Sequence, residues 1–237
     1  MSLLKKTGNV MVTTFVFDAY GTLFNVSAAA RQAAQEPNRE SFAQHWAKLS
    51  DIWRNKQLQY TWLRAVTGHH IDFWQVTQDG LDFALEALEL SHDTELRDRL
   101  LQLYWELQSY QEVKDVLTTL KARGFNTAIL SNGSPDMLNA AVTSAGLEST
   151  LDAVLSVEDV GVFKPNARVY DMVNRRFETT SNQVMFVSSN GWDIAGASAF
   201  GFQTAWVNRA NDPVDRLMAK PDHIFSDLTP LPNLMSS

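Results

Sequence analysis

Short apolar-rich runs recur along the chain at Thr14 to Phe17, Asn126 to Leu130, Ala153 to Val157, Val184 to Val187 and Thr204 to Val207. Each is rich in β-branched or aromatic residues, the pattern of a fully buried strand. A further run, "HIFSDL", is weaker. Between them the apolar positions return at helical spacing. The segment "YQEVKDVLTTLKARG" closes on Gly124, and "SPDMLNAAVTSAG" runs from Ser134, ahead of Pro135, to Gly146, with the cap and stop residues that bound helices. This alternation predicts an α/β fold with a doubly wound, parallel, Rossmann-like sheet.

One stretch breaks the rhythm, from about Val26 to about Gln108. A parallel crossover from the first strand to the second needs a single helix, and the pattern at Tyr110 to Arg123 already supplies it. The preceding residues are surplus to the sheet. In "RESFAQHWAKLSDIWRNKQLQYTWLRAVT" the apolar residues Phe42, Trp46, Leu49, Trp53, Tyr60 and Leu63 fall at roughly helical spacing, and "DFWQVTQDGLDFALEALEL" and "TELRDRLLQLYWEL" follow. The expectation is a discontinuous core of residues 11–25 and 109–230 with an all-helical cap, residues 26–108, inserted after the first strand. Such a cap would lie over the carboxyl ends of the strands, where doubly wound sheets bind ligands.

Composition narrows the function. The 237 residues are 45% apolar and 20% charged, as expected of a folded globular chain. A net charge of −7 without any Lys/Arg cluster argues against nucleic acid as partner. A small anionic substrate would need a local positive pocket. The absence of cysteine removes disulfides, thiolate metal sites and cysteine nucleophiles, and points to a cytoplasmic protein. No apolar run is long enough to cross a membrane, and "MSLLKKTGNVMVTTF" is too weakly apolar for a signal peptide. Met11 offers an alternative start, with the first ten residues then a leader.

The polar residues after the strands carry the chemistry. In "TTFVFDAYGTLFNV" a buried strand ends on the carboxylate of Asp18, which is costly without partners. The second strand ends in "SNGS", with Ser131 and Asn132. A loop, "VFKPN", brings Lys164, and "FVSSNGWD" brings Ser188, Asn190 and Asp193. Taken singly, each has an ordinary reading as helix cap, turn residue or surface lysine. Together, in parallel topology, they converge on one rim of the sheet.

The ordered set "DAYGTL", "LSNGS", "KP" and "FVSSNGWD" resembles the haloacid dehalogenase superfamily, and the insert stretch "WRNKQLQYTWLR" with "SSNGWD" resembles its L-2-haloacid dehalogenases. The phosphatases of that superfamily carry a second Asp two residues after the nucleophile and further acids that hold Mg²⁺. This chain has Tyr20 and "SSN" at those places, a change that carbon–halogen cleavage permits because a halide leaves without a proton.

The resemblance therefore implies a metal-independent enzyme without cofactor, acting on short L-2-haloacids and forming homodimers. Asp18 would be the nucleophile, held by Lys164 and Thr22. Ser131 and Asn132 would receive the substrate carboxylate, and Arg54 the halide. Asp193, with Ser188 and Asn190, would activate water, and Tyr170 would order that network. Tyr20, Asn55, Leu58 and Trp192 would line the substrate; Asn55 stands where close relatives carry glutamine. Three rival readings remain: a metal-dependent phosphatase on the same core, a binding module that keeps the scaffold without turnover, and an α/β-hydrolase elbow at "GWDIA" with His223 as base.

Overall fold

The structure, a computed structural model, describes residues 11–235. Residues 1–10, and with them the expected leader, lie outside the described residues. The strands are β1 (Thr14–Phe17), β2 (Asn126–Ser131), β3 (Ala153–Ser156), β4 (Val184–Ser188), β5 (Gln203–Val207) and β6 (His223–Phe225). They form one sheet in the order β3-β2-β1-β4-β5-β6, and every pairing is parallel. The doubly wound sheet is thus as the apolar runs predict. Boundaries move by one or two residues. Strand β3 stops at Ser156 because Val157–Asp159 turn into a 3₁₀ helix, while β2 and β4 each extend to the serine expected just beyond them.

β1 lies between β2 and β4, the place where the chain order reverses direction across the sheet. Ligand crevices of doubly wound folds open at such a point, beyond the carboxyl ends of the strands. The four residues of β1 and the five of β4 are all buried. Their ladder continues past the strand, since the Asp18 amide donates to the Val187 carbonyl at 2.9 Å. That bond sets the Asp18 side chain beside the end of β4.

Between β1 and β2 the described chain forms α1 (Ala28–Ala34), α2 (Glu40–Ala43), α3 (Trp46–Thr67), α4 (Phe73–Ala87), α5 (Thr94–Trp105) and the crossover helix α6 (Val113–Ala122). The insert is helical, as expected. Its internal packing departs from the simple apolar reading, because Leu63 is 56% exposed while the buried stripe of α3 is Leu49, Trp53, Gln57 and Thr61. Steps of four residues keep one face of a helix together. Two polar residues in that stripe hide it from a hydrophobic reading. Both have partners: the Gln57 amide donates to Thr77 Oγ1 at 2.9 Å and to the Tyr104 hydroxyl at 3.2 Å, and the Thr61 hydroxyl donates to the Leu58 carbonyl. The remaining helices, α7 (Pro135–Ser144), α8 (Ala167–Phe177) and α9 (Gly191–Phe200), follow β2, β3 and β4.

Candidate active site

Asp18 directly follows β1 with only 7% of its surface exposed, and the fold supplies the partners that such burial demands. Its Oδ2 accepts from Thr22 Oγ1 at 3.0 Å and from Asn190 Nδ2 at 2.9 Å; its Oδ1 meets Lys164 Nζ at 3.2 Å. Thr22 is fixed in turn by the Ser189 amide, which donates to its oxygen at 2.8 Å. Ser189 went unassigned in the sequence, although it sits inside "FVSSNGWD"; the doubled serine was the available signal.

Lys164 is fully buried and bridges two carboxylates, with Nζ 2.8 Å from Asp193 Oδ2 as well as in contact with Asp18. Burial works against its charge, but Asp193 and Asp18 outweigh it and raise the ammonium's pKa above the ordinary lysine value. Lys164 is therefore a fixed cation at neutral pH. Asp193 lies in the first turn of α9, where its carboxylate also accepts from the Tyr170 hydroxyl at 2.7 Å and from Ser188 Oγ at 3.4 Å. Burial lifts its pKa to about 6, with Lys164 opposing and the Asp18 charge adding to the rise. Tyr170 is pushed well above the usual phenol range by burial and by Asp193, so it stays a proton donor.

The loop after β2 sits on the same rim. Ser131 Oγ accepts from the Gly133 amide at 3.1 Å, and Asn132 Oδ1 accepts from the Lys164 backbone amide at 3.0 Å. Asn132 thus clamps the lysine loop, a role its place in a turn did not reveal. Ser156, also unassigned from sequence, donates to the Gly133 carbonyl at 2.7 Å. Gly133 is needed here: a β-carbon would come 2.7 Å from Tyr20 Cε2. The loop leads into α7, which begins at Pro135 with no side-chain cap from Ser134, and an uncapped helix N-terminus of this kind favours an anion.

From the insert, Arg54 reaches into the core. Its guanidinium donates to the Tyr20 carbonyl at 3.1 Å and to Asn190 Oδ1 at 3.3 Å, so Asn190 links Arg54 to Asp18. Tyr20 is buried and stacks on Tyr104 with centroids 5.6 Å apart, beside Phe73. Burial raises its hydroxyl pKa well above the usual value. Leu58 follows Arg54 by one helical turn and is half-buried. Trp192 is half-buried too and meets Trp62 edge-on at 5.4 Å. Asn55 departs from expectation. It is exposed and lines an outer groove with Lys56 and Phe83, because successive helix residues turn by about 100° and Arg54 already points inward.

The α/β-hydrolase reading fails on position. His223 opens the edge strand β6 and stacks on Phe225, whereas Asp193 is committed to Lys164 and Tyr170. Among the described residues no group of three or more His, Cys, Asp and Glu side chains is placed to hold a metal ion, and no helix is long and apolar enough to cross a membrane.

An aspartate after β1, a lysine joining it to a second aspartate after β4, and a serine loop after β2 meet on one rim, and the family model haloacid dehalogenase-like hydrolase matches residues 12–201 of the same chain. The chain belongs to the haloacid dehalogenase-like hydrolases. Within them it is 44% identical over 220 residues to (S)-2-haloacid dehalogenase 1 of Pseudomonas sp. (strain CBS-3), covering 93% of this chain and 95% of that protein. It is 42% identical over 200 residues to (S)-2-haloacid dehalogenase of Xanthobacter autotrophicus, covering 84% and 76%. A solved L-2-haloacid dehalogenase from Xanthobacter autotrophicus, with chloropropionic acid covalently bound, superposes with a TM-score of 0.84 at 36% identity over 96% of this chain and 99% of that one. This haloacid dehalogenase-like hydrolase therefore shares its fold with a protein solved with chloropropionic acid covalently bound.

Proposed function

We propose that this protein is an (S)-2-haloacid dehalogenase that hydrolyses short L-2-haloacids such as 2-chloropropionate to D-2-hydroxyacids and halide. The observation that carries this reading is the buried Asp18–Lys164–Asp193 bridge with Arg54 linked to it through Asn190. In this scheme Asp18 attacks C2 of the substrate, the carbon–halogen bond breaks with the electron pair leaving on the halide, and an aspartyl ester forms. Ser131, Asn132 and the first-turn amides of α7 receive the substrate carboxylate. Arg54 meets the departing halide with guanidinium N–H donors. Tyr20, Leu58 and Trp192 supply the apolar wall.

Water then attacks the ester at the Asp18 carbonyl carbon. Asp193, ordered by Tyr170, Ser188 and Asn190, takes the proton of that water; as the tetrahedral adduct collapses, the bond from the Asp18 carbonyl carbon to the substrate oxygen breaks, Asp193 returns its proton to the departing 2-alkoxide, and the hydroxyacid leaves with an oxygen from Asp18. Residues 26–108 serve as a cap over a core of residues 11–25 and 109–230, because Arg54 on α3 completes the site. A cytoplasmic homodimer belongs to the same proposal; the exposed Leu63 and Phe83 on the outer face of α3 and α4 support the dimer.

Halide release from 2-chloropropionate tests the proposal. Turnover is expected to survive exhaustive chelation and to gain nothing from added Mg²⁺, since Tyr20, Ser189 and Asn190 stand where metal-dependent relatives need acids and the two remaining carboxylates share one ammonium. Chelation that abolishes turnover, with Mg²⁺ restoring it, would return the protein to the phosphatase reading. Haloacid binding without any turnover would leave only a binding module. Arg54→Ala is expected to lower kcat by about 10²- to 10³-fold, the scale for losing one charge-stabilising donor. Steady-state kinetics with unchanged circular dichroism check this, and an unaltered rate would reduce Arg54 to a helix surface residue.

A further inference from the structure

The chain leaves the sheet after β1 and returns to it before α6, and the two stretches pair with each other. The Tyr110 amide donates to the Leu23 carbonyl and the Asn25 amide to the Gln108 carbonyl, each at 3.0 Å, with an antiparallel bridge between Phe24 and Ser109. A third segment, the loop after β5, brings Arg209 to this junction. Its Nη2 donates to the Thr22 carbonyl of the outgoing stretch at 3.2 Å and to Glu112 Oε1 of the returning one at 2.6 Å. The guanidinium carbon lies 3.7 Å from the centre of the Tyr110 ring, a cation–π contact on that same returning stretch. With side chains only 21% and 16% exposed, Arg209 and Glu112 attract with less screening than a surface pair.

Thr22 connects this junction to the reaction centre. The residue is fully buried; its carbonyl accepts from Arg209, while its hydroxyl donates to Asp18 Oδ2 at 3.0 Å and accepts from the Ser189 amide at 2.8 Å. We infer that Arg209 is a positioning residue for the nucleophile. By tying the Thr22 backbone to Glu112 and Tyr110 it fixes the Thr22 hydroxyl against Asp18 and so holds the carboxylate in the orientation that attacks C2. Arg209 itself touches neither substrate nor halide in this scheme and acts through Thr22. Arginine suits the place because one planar group meets a carbonyl, a carboxylate and a ring face together, which a lysine ammonium does not reproduce. This inference rests on the dehalogenase reading and adds a residue to it.

Rapid-quench mass spectrometry of the Asp18 peptide with L-2-chloropropionate measures ester formation directly. Arg209→Ala is expected to slow that step by about tenfold, within the ~10²-fold that a misplacement of about 1 Å can cost. Half-saturation should stay within about twofold of wild type, because Ser131, Asn132 and Arg54 keep their contacts with the substrate. In a Thr22→Val background, which lacks the hydroxyl, the same change should slow ester formation by less than about threefold, since two residues acting in series are not additive. Arg209→Lys, which keeps the charge but not the fork, should slow the step by about threefold and serves as the second test should Arg209→Ala fold poorly. An unchanged ester rate in both folded variants overturns the inference. So does an equal loss with and without the Thr22 hydroxyl, the mark of a merely structural arginine, or a loss confined to half-saturation. Halide release from the wild-type protein with a rate indifferent to Arg209 sinks this inference alone, whereas no halide from the wild-type protein sinks the dehalogenase reading as well.

Discussion

Under single-turnover conditions in ¹⁸O-labelled water, the hydroxyacid formed from L-2-chloropropionate is expected to be unlabelled, with the label appearing in the Asp18 carboxylate. In the proposed scheme C2 bonds to an Asp18 oxygen as the halide departs, and water later attacks the aspartyl carbonyl carbon, so the product oxygen comes from Asp18. The structure presents that carboxylate for attack, with Oδ1 on Lys164 and Oδ2 on Thr22 and Asn190, held in place and compensated in charge. Asp18→Asn keeps the shape and removes the nucleophile, and turnover should fall by roughly 10⁴-fold or more, the scale seen when a nucleophile is deleted. Direct attack by a water activated at Asp193 would also invert C2, giving D-lactate on either route. Stereochemistry is therefore silent, and mass spectrometry of the Asp18 peptide decides. Label in the first-turnover product with none in that peptide would make Asp18 a general base.

Lys164→Met should be nearly as damaging, and through stability as well as chemistry. The ammonium is fully buried between Asp18 and Asp193, and its removal leaves two carboxylates of like charge without their shared counter-ion. Breaking a buried pair by deleting one partner costs about 3–5 kcal/mol. Turnover should fall by about 10³-fold or more, because the anionic substrate then meets two uncompensated carboxylates. Adding Asp193→Asn to Lys164→Met should restore much of the stability, by removing one stranded charge, while leaving turnover absent. Chemical denaturation and halide release on the two variants separate these effects. A single variant that keeps both full stability and activity would mean that Lys164 does not carry the charge balance of the site.

The sequence by itself determined the sheet, the helical insert and the rim residues, for a local reason. Buried strands are short apolar runs, helices repeat every three to four residues, and parallel strands bring their carboxyl ends to one edge. Asp18, Ser131, Lys164, Ser188 and Asp193 could therefore be assigned to that edge from their places after the runs, and Arg54 from its resemblance in "WRNK". Tertiary structure alone decided which atoms meet. Lys164 Nζ joins Asp18 across 146 positions, Asn190 joins it across 172, and Arg54 joins Asn190 across 136. Nothing local in the chain encodes those separations. The same holds for Gln57 and Thr61, polar residues on the buried face of α3, and for Asn132 holding the Lys164 backbone. It holds also for Asn55, which faces outward although it adjoins Arg54. Periodicity tells which residues share a face of an element; what that face packs against, and so which polar side chains find partners there, is fixed only when distant segments meet.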